Sequence, residues 1–138
     1  MDEHKSTVLV VEDEELLLQA IAMKLKLSQM QVIACKSGKE ALEILNNLDK
    51  APDAIWLDYY LKDMNGLEFM YALKQDKRFS NIPTVVVSNS ASPDKVSGML
   101  TLGVKKYYLK AENKLDDIIT TVKEFVKKEH VTKNNGKN

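Results

Sequence analysis

The run Ala54-Ile55-Trp56-Leu57-Asp58 constrains this chain more than any other stretch. Four consecutive apolar residues ending in an acid read as a strand buried on both faces, the setting of a central strand in a parallel sheet. The residues Lys62-Asp63-Met64-Asn65-Gly66 that follow read as a turn. In open α/β sheets, chemistry sits in the crevice beyond the carboxyl ends of the strands. Asp58 stands at such an end, either as a reacting group or as the cap of the next helix. The residues at the other strand ends decide between the two.

Four more strands are legible. Thr7-Val8-Leu9-Val10-Val11 is a β-branched run, followed by Glu12-Asp13-Glu14-Glu15 and a helix from Glu15 to Leu27 with Leu17, Ile21 and Leu25 as its buried stripe. Gln31 to Cys35 is a second strand. The helix that starts at Ser37-Gly38-Lys39-Glu40 buries Leu42, Ile44, Leu45 and Leu48, and Lys50-Ala51-Pro52 ends it. Gly66 to Gln75 is a third helix, with Leu67, Met70, Tyr71 and Leu73 apolar. Thr84 to Ser88 is the fourth strand. Ser92-Pro93-Asp94 has the chemistry of a helix start: a hydroxyl cap, a proline, then an acid. Gly103 closes that helix. Lys106-Tyr107-Tyr108-Leu109 is the fifth strand, and Asn113 is expected to cap a last helix lined by Leu115, Ile118, Ile119, Val122, Phe125 and Val126. Strands alternating with helices predict an α/β, doubly wound parallel sheet of five strands.

The 138 residues fit one domain, residues 1–128, with 129–138 polar and aperiodic, expected to form a frayed helix end and disordered tail. Twenty basic and twenty acidic side chains give no net charge, so nothing points to nucleic acid or an anionic membrane surface. The charged start, Met1 to Ser6, lacks the apolar core of a signal peptide. No apolar run approaches the roughly 18 residues of a membrane span. A cytoplasmic setting is expected. Cys35, the one cysteine, reads as a small buried hydrophobe. His4 and His130 lie near the termini without partners and read as spectators.

The strand ends carry Glu12-Asp13, Asp58, Ser88 and Lys110, while Cys35-Lys36 suits an edge strand outside the site. Carboxylates drawn into one crevice repel unless a cation joins them, and hard oxygen ligation with room for water suits Mg²⁺. One hydroxyl and one ammonium beside them resemble a binding site for a phosphoryl group carried on one of the acids.

These residues together resemble the receiver domain of two-component response regulators, of the stand-alone chemotaxis-regulator-like type. The likeness runs from residue 6 to 128, through Val8-Leu9-Val10-Val11-Glu12-Asp13-Glu14, Asp58 with Met64-Asn65-Gly66-Leu67-Glu68, Ser88, and Gly103 to Lys110. The resemblance implies a flavodoxin-like (βα)5 fold with strand order 2-1-3-4-5. Asp58 would take a phosphoryl group from a histidine kinase or histidine phosphotransfer protein. Asp13 and Asp58 would bind Mg²⁺ directly, Glu12 through water, and Tyr60 by its backbone carbonyl. Ser88 and Lys110 would hold the phosphoryl oxygens. Ser88 and Tyr107 would form the switch that alters the α4-β5-α5 face, read by a downstream protein or by a second copy in a homodimer. Such a module catalyses its own phosphorylation and dephosphorylation without turning over an external substrate.

Departures accompany the matches. Ala111 replaces the family's proline after the lysine, where a cis bond to a non-proline residue costs about 3 kcal/mol; the loop is either strained or trans. Lys62 replaces another proline, and Asn89 stands where a smaller residue is common. Tyr60 and Ser90 occupy the positions that govern access of water, and a bulky Tyr60 implies slow hydrolysis. Two readings within the family compete: a degenerate receiver used only for docking, and the detached receiver of a hybrid kinase. A hydrolase of the haloacid dehalogenase type needs a second acid where Tyr60 stands. A flavodoxin-like carrier needs a hydroxyl-rich loop where Glu12 to Glu15 would repel phosphate.

Overall fold

The computed structural model describes residues 5–136, with side chains described for residues 5–127. Elements alternate in the expected order: β1 (Thr7–Val11), α1 (Glu15–Leu27), β2 (Gln31–Cys35), α2 (Gly38–Asn47), β3 (Ala54–Asp58), α3 (Gly66–Lys74), β4 (Thr84–Ser88), α4 (Pro93–Thr101), β5 (Lys106–Leu109) and α5 (Leu115–Gly136). The strands form one parallel sheet in the order β2-β1-β3-β4-β5. Every residue of β3 is buried, as a strand covered on both faces requires.

Alternation along the strands splits the core in two. Leu9, Val11, Ile55, Leu57 and Val86 point to one face and pack with Ala41, Leu45, Phe69, Met70, Leu73 and Met99 from α2, α3 and α4. Val8, Val10, Trp56, Val85 and Val87 point to the other and meet Leu18, Ile21 and Leu25 of α1 with Ile118, Ile119, Val122 and Val126 of α5. Each fully buried large side chain contributes about 1.5–3 kcal/mol, so both layers are needed to hold the sheet.

Local chemistry sets the helix ends. Ser37 accepts from the Glu40 amide, Asn65 and Glu68 form a reciprocal capping box, and Ser92 accepts from the Lys95 amide ahead of Pro93. Gly103, at φ 94°, supplies the left-handed residue after α4, and Gln29, at φ 70°, does the same after α1 without being glycine.

Several expectations need correction. Leu18 rather than Leu17 is fully buried on α1, and Leu17 packs at the margin. On α3, Tyr71 is exposed and Phe69 takes the core position, because the helix presents its 66-69-70-73 face to the sheet. Leu42, Ile44 and Leu48 only flank the core that Ala41 and Leu45 enter. Asn113 does not cap α5: its amide donates to the Leu109 carbonyl, and the Lys114 carbonyl accepts the first helical amides. Between them Lys110–Glu112 form a 3-10 turn that the sequence did not announce. Apart from these corrections, the backbone of α5 runs as helix from Leu115 to Gly136, through a stretch without proline. His4 and the side chain of His130 lie outside the described residues. Cys35 is fully buried, and burial pushes its thiol up to about 12.

Candidate functional site

The parallel register brings the strand ends to one edge of the sheet. Val11 pairs with Cys35 and Leu57, Asp58 with Val87, and Ser88 with Leu109. Glu12, Asp13 and Lys110, the next residues along their chains, therefore leave the sheet beside Asp58 and Ser88. Glu12, Asp13 and Asp58 each offer a carboxylate oxygen, and those oxygens lie within 4.8 Å of one another. Glu12 is 1% exposed and Asp58 5%, with Asp13 half-buried.

Carboxylates this close and this dry disfavour their own charge. Burial first, then the charge of Glu12, pushes the Asp58 carboxyl up to about 7, against the pull of Lys110. The Lys110 ammonium lies 3.2 Å from Glu12 Oε1 and 3.5 Å from Asp58 Oδ2. Burial works to discharge it, but Asp58 and Glu12 together outweigh burial and hold Lys110 above the usual lysine value. It reaches Asp58 although Ala111 follows it: among the described residues no peptide bond is cis, so Lys110–Ala111 is trans.

Backbone amides fix the acids in place. Glu12 Oε2 accepts from the Glu14 amide at 3.0 Å, Asp58 Oδ1 from Tyr60 at 3.3 Å and Asp13 Oδ2 from Lys62 at 2.9 Å. The loop after Asp58 thus grips two of the three acids. That loop is itself latched: Asp63 accepts from the amides of Gly38 and Lys39 at the start of α2, at 3.1 and 2.8 Å. Although desolvation of this exposed carboxyl opposes it, the hydrogen bonds from those amides hold Asp63 below the usual range.

Hydroxyls and rings form the rim. Ser88 is fully buried, and its Oγ accepts from the Ser90 amide at 3.3 Å. The half-buried Tyr107 hydroxyl donates to the Ser90 carbonyl at 2.7 Å, and its ring lies tilted against Tyr59, 6.2 Å between centroids. Tyr60 is 44% exposed, with its hydroxyl 3.5 Å from Ser90 Oγ. Asn89 is exposed.

All the residues singled out from the sequence, Glu12, Asp13, Asp58, Tyr60, Ser88, Tyr107 and Lys110, thus meet at this edge. Three features were not foreseen: the direct contact of Glu12 with Lys110, the Asp63 latch, and Lys95, whose Nζ lies 4.6 Å from the Tyr60 ring centroid. An acid three residues before a helix-starting glycine hints at the latch, but only as a cap for its own helix. Nothing in the sequence marks Lys95. Three clustered carboxylates, two of them in contact with one ammonium, suit a divalent cation of the Mg²⁺ class and an anion shared with it.

Comparison with known proteins agrees. The response regulator receiver domain family matches residues 8–123. The two-component response regulator ORR11 of Oryza sativa subsp. indica is 32% identical over 103 residues, covering 75% of this chain and 69% of that protein. Among solved structures, the phosphorylated cyanobacterial phytochrome response regulator RcpA has a TM-score of 0.74 and 27% identity, covering 88% of this chain and 91% of its own. The Francisella response regulator 1452 receiver domain, at TM-score 0.81 and 24% identity over 91% of this chain and 99% of its own, shows the same fold. Among the described residues no helix is long and apolar enough to cross a membrane. With fold, strand-end residues and sequence in agreement, this chain belongs to the response regulator receiver domains of two-component signalling.

Proposed function

We propose that the chain is a phosphorylation-controlled switch in which Asp58 accepts a phosphoryl group from a phosphohistidine of a histidine kinase or phosphotransfer protein. One Asp58 oxygen forms the bond to phosphorus as the P–N bond breaks and the donor imidazole takes the electron pair. The observation that carries this reading is the convergence of Glu12, Asp13 and Asp58 within 4.8 Å, faced by the Lys110 ammonium. The buried Asp58, its charge disfavoured by burial and by Glu12 beside the Lys110 ammonium, supports this reading over a purely docking module.

The donor set fits Mg²⁺: Asp13 and Asp58 would hold it directly, the Tyr60 carbonyl would add an oxygen, and Glu12 would act through water. When bound, such an ion neutralises the acids and the oxygens of the incoming phosphoryl group. Lys110 and the Ser88 hydroxyl supply the remaining contacts to those oxygens. Ser88 and Tyr107 then serve as the switch, since both are tied to Ser90. The output face is α4-β5-α5, where Lys105 and Lys106 are exposed, available to a downstream protein or a second copy. An apolar stripe on α1, Leu16, Met23 and Leu27 at 78%, 63% and 74% exposure, begins beside the acids and suits docking of the phosphodonor. A cytoplasmic setting belongs to the same reading.

The test is incubation with acetyl phosphate. The expected result is the mass gain of one phosphoryl group that needs Mg²⁺, disappears with a chelator and is absent from Asp58→Asn. A protein that gains nothing under any of these conditions, nor from a cognate histidine kinase, is a docking module instead.

A further inference from the structure

Tyr60 is an exposed aromatic residue at the rim of a polar site, yet its side chain is held at several points. Its ring lies edge-on to Tyr59, 4.8 Å between centroids. Its hydroxyl lies 3.5 Å from Ser90 Oγ, while its backbone amide donates to Asp58. The residue therefore bridges the loop after Asp58 to the loop after Ser88. The third hold comes from α4: Lys95 places its ammonium 4.6 Å from the Tyr60 centroid and 5.7 Å from that of Tyr59. Lys95 is itself anchored, because its amide donates to the Ser92 cap at 3.3 Å. Among the described residues no carboxylate forms an ion pair with it. A lysine left without a carboxylate and set over two ring faces gains its stabilisation from those rings.

We infer that Lys95 is a positioning residue that keeps Tyr60 across the rim of the Asp58 site, so that α4 sets how fast phosphorylated Asp58 is hydrolysed. This rests on the phosphoryl-acceptor reading above. In that hydrolysis a water oxygen bonds to phosphorus and the P–O bond to Asp58 breaks. The carboxylate leaves with the electron pair, and the water's proton goes to phosphate or solvent. Tyr60 stands on the water's route, and Lys95 restricts how often the ring swings aside. Because the cation belongs to α4, a partner that grips this helix acts on the phosphoryl lifetime through the same contact.

The experiment loads the full chain with acetyl phosphate and Mg²⁺, removes the donor, and follows loss of the phosphoryl group by intact mass. Lys95→Gln is expected to shorten the lifetime about three- to fivefold, the size of a partly exposed cation–π contact. Lys95→Arg, which keeps the cation, is expected to restore the parent lifetime. In a Tyr60→Leu background Lys95→Gln is expected to change nothing further. Urea midpoints of all variants separate this from a general loss of stability. A Lys95→Gln lifetime equal to the parent's, or the same acceleration with and without the Tyr60 ring, overturns the inference while the acceptor reading stands. A parent chain that never gains the group overturns both.

Discussion

Asp58, Glu12 and Lys110 form the smallest unit on which the account depends, and their charges do not balance. Two buried carboxyls face one ammonium, with Asp13 nearby, and Asp58 responds by holding its proton up to about pH 7. The folded value lies above the ordinary carboxylate value of about 3.9, so the folded state keeps a proton that the unfolded chain has released. The stability tied to that proton is whole below about pH 4 and is lost as pH rises to about 7. The unfolding free energy of metal-free protein, read from urea titrations, should fall across that window by an amount on the order of a few kcal/mol. Asp58→Asn, with no proton to lose, should show a much flatter profile. Identical profiles for the two proteins would count against the buried, repelled Asp58 described here. At this scale the sequence was informative because strand-end acids, hydroxyl and lysine announce themselves by position. It could not say that Glu12 touches Lys110, since that depends on which oxygen faces which strand.

Elements were legible where local chemistry sets them and less so where packing does. The Ser92-Pro93 start of α4 and the Gly103 end follow from the residues alone. The choice of Phe69 over Tyr71, or Leu18 over Leu17, is made by how each helix is rotated against the sheet, and a stripe two residues wide does not fix that. Gln29 shows a local rule overridden: it takes a left-handed conformation after α1 that glycine adopts at lower cost. Gln29→Gly should therefore raise stability by about 0.5–1 kcal/mol, seen as a higher urea midpoint, and a lower midpoint would contradict the strain. The latch makes a second prediction at this scale. Asp63→Ala removes the acceptor for the Gly38 and Lys39 amides and should cost about 1 kcal/mol. It should also weaken Mg²⁺ affinity, because the neighbouring Lys62 amide holds Asp13. Unchanged affinity would show that the loop and the acids are independent.

Across the whole molecule, one buried strand joins both core layers to the site. Ile55 and Leu57 enter one layer, Ala54 and Trp56 the other, and Asp58 follows at the open end. That plan was readable because a run apolar on every residue has few stable homes other than the middle of a parallel sheet. The central claim is that this sheet exists in this chain to present Asp58 as the acceptor. Aspartyl phosphate is reduced by borohydride to homoserine, so the position can be read directly. After treatment with acetyl phosphate and Mg²⁺, then borohydride, peptide mass spectrometry should find homoserine at position 58 and nowhere else. Homoserine at another acid, or an unchanged Asp58 in protein that carries the phosphoryl group, would contradict the account.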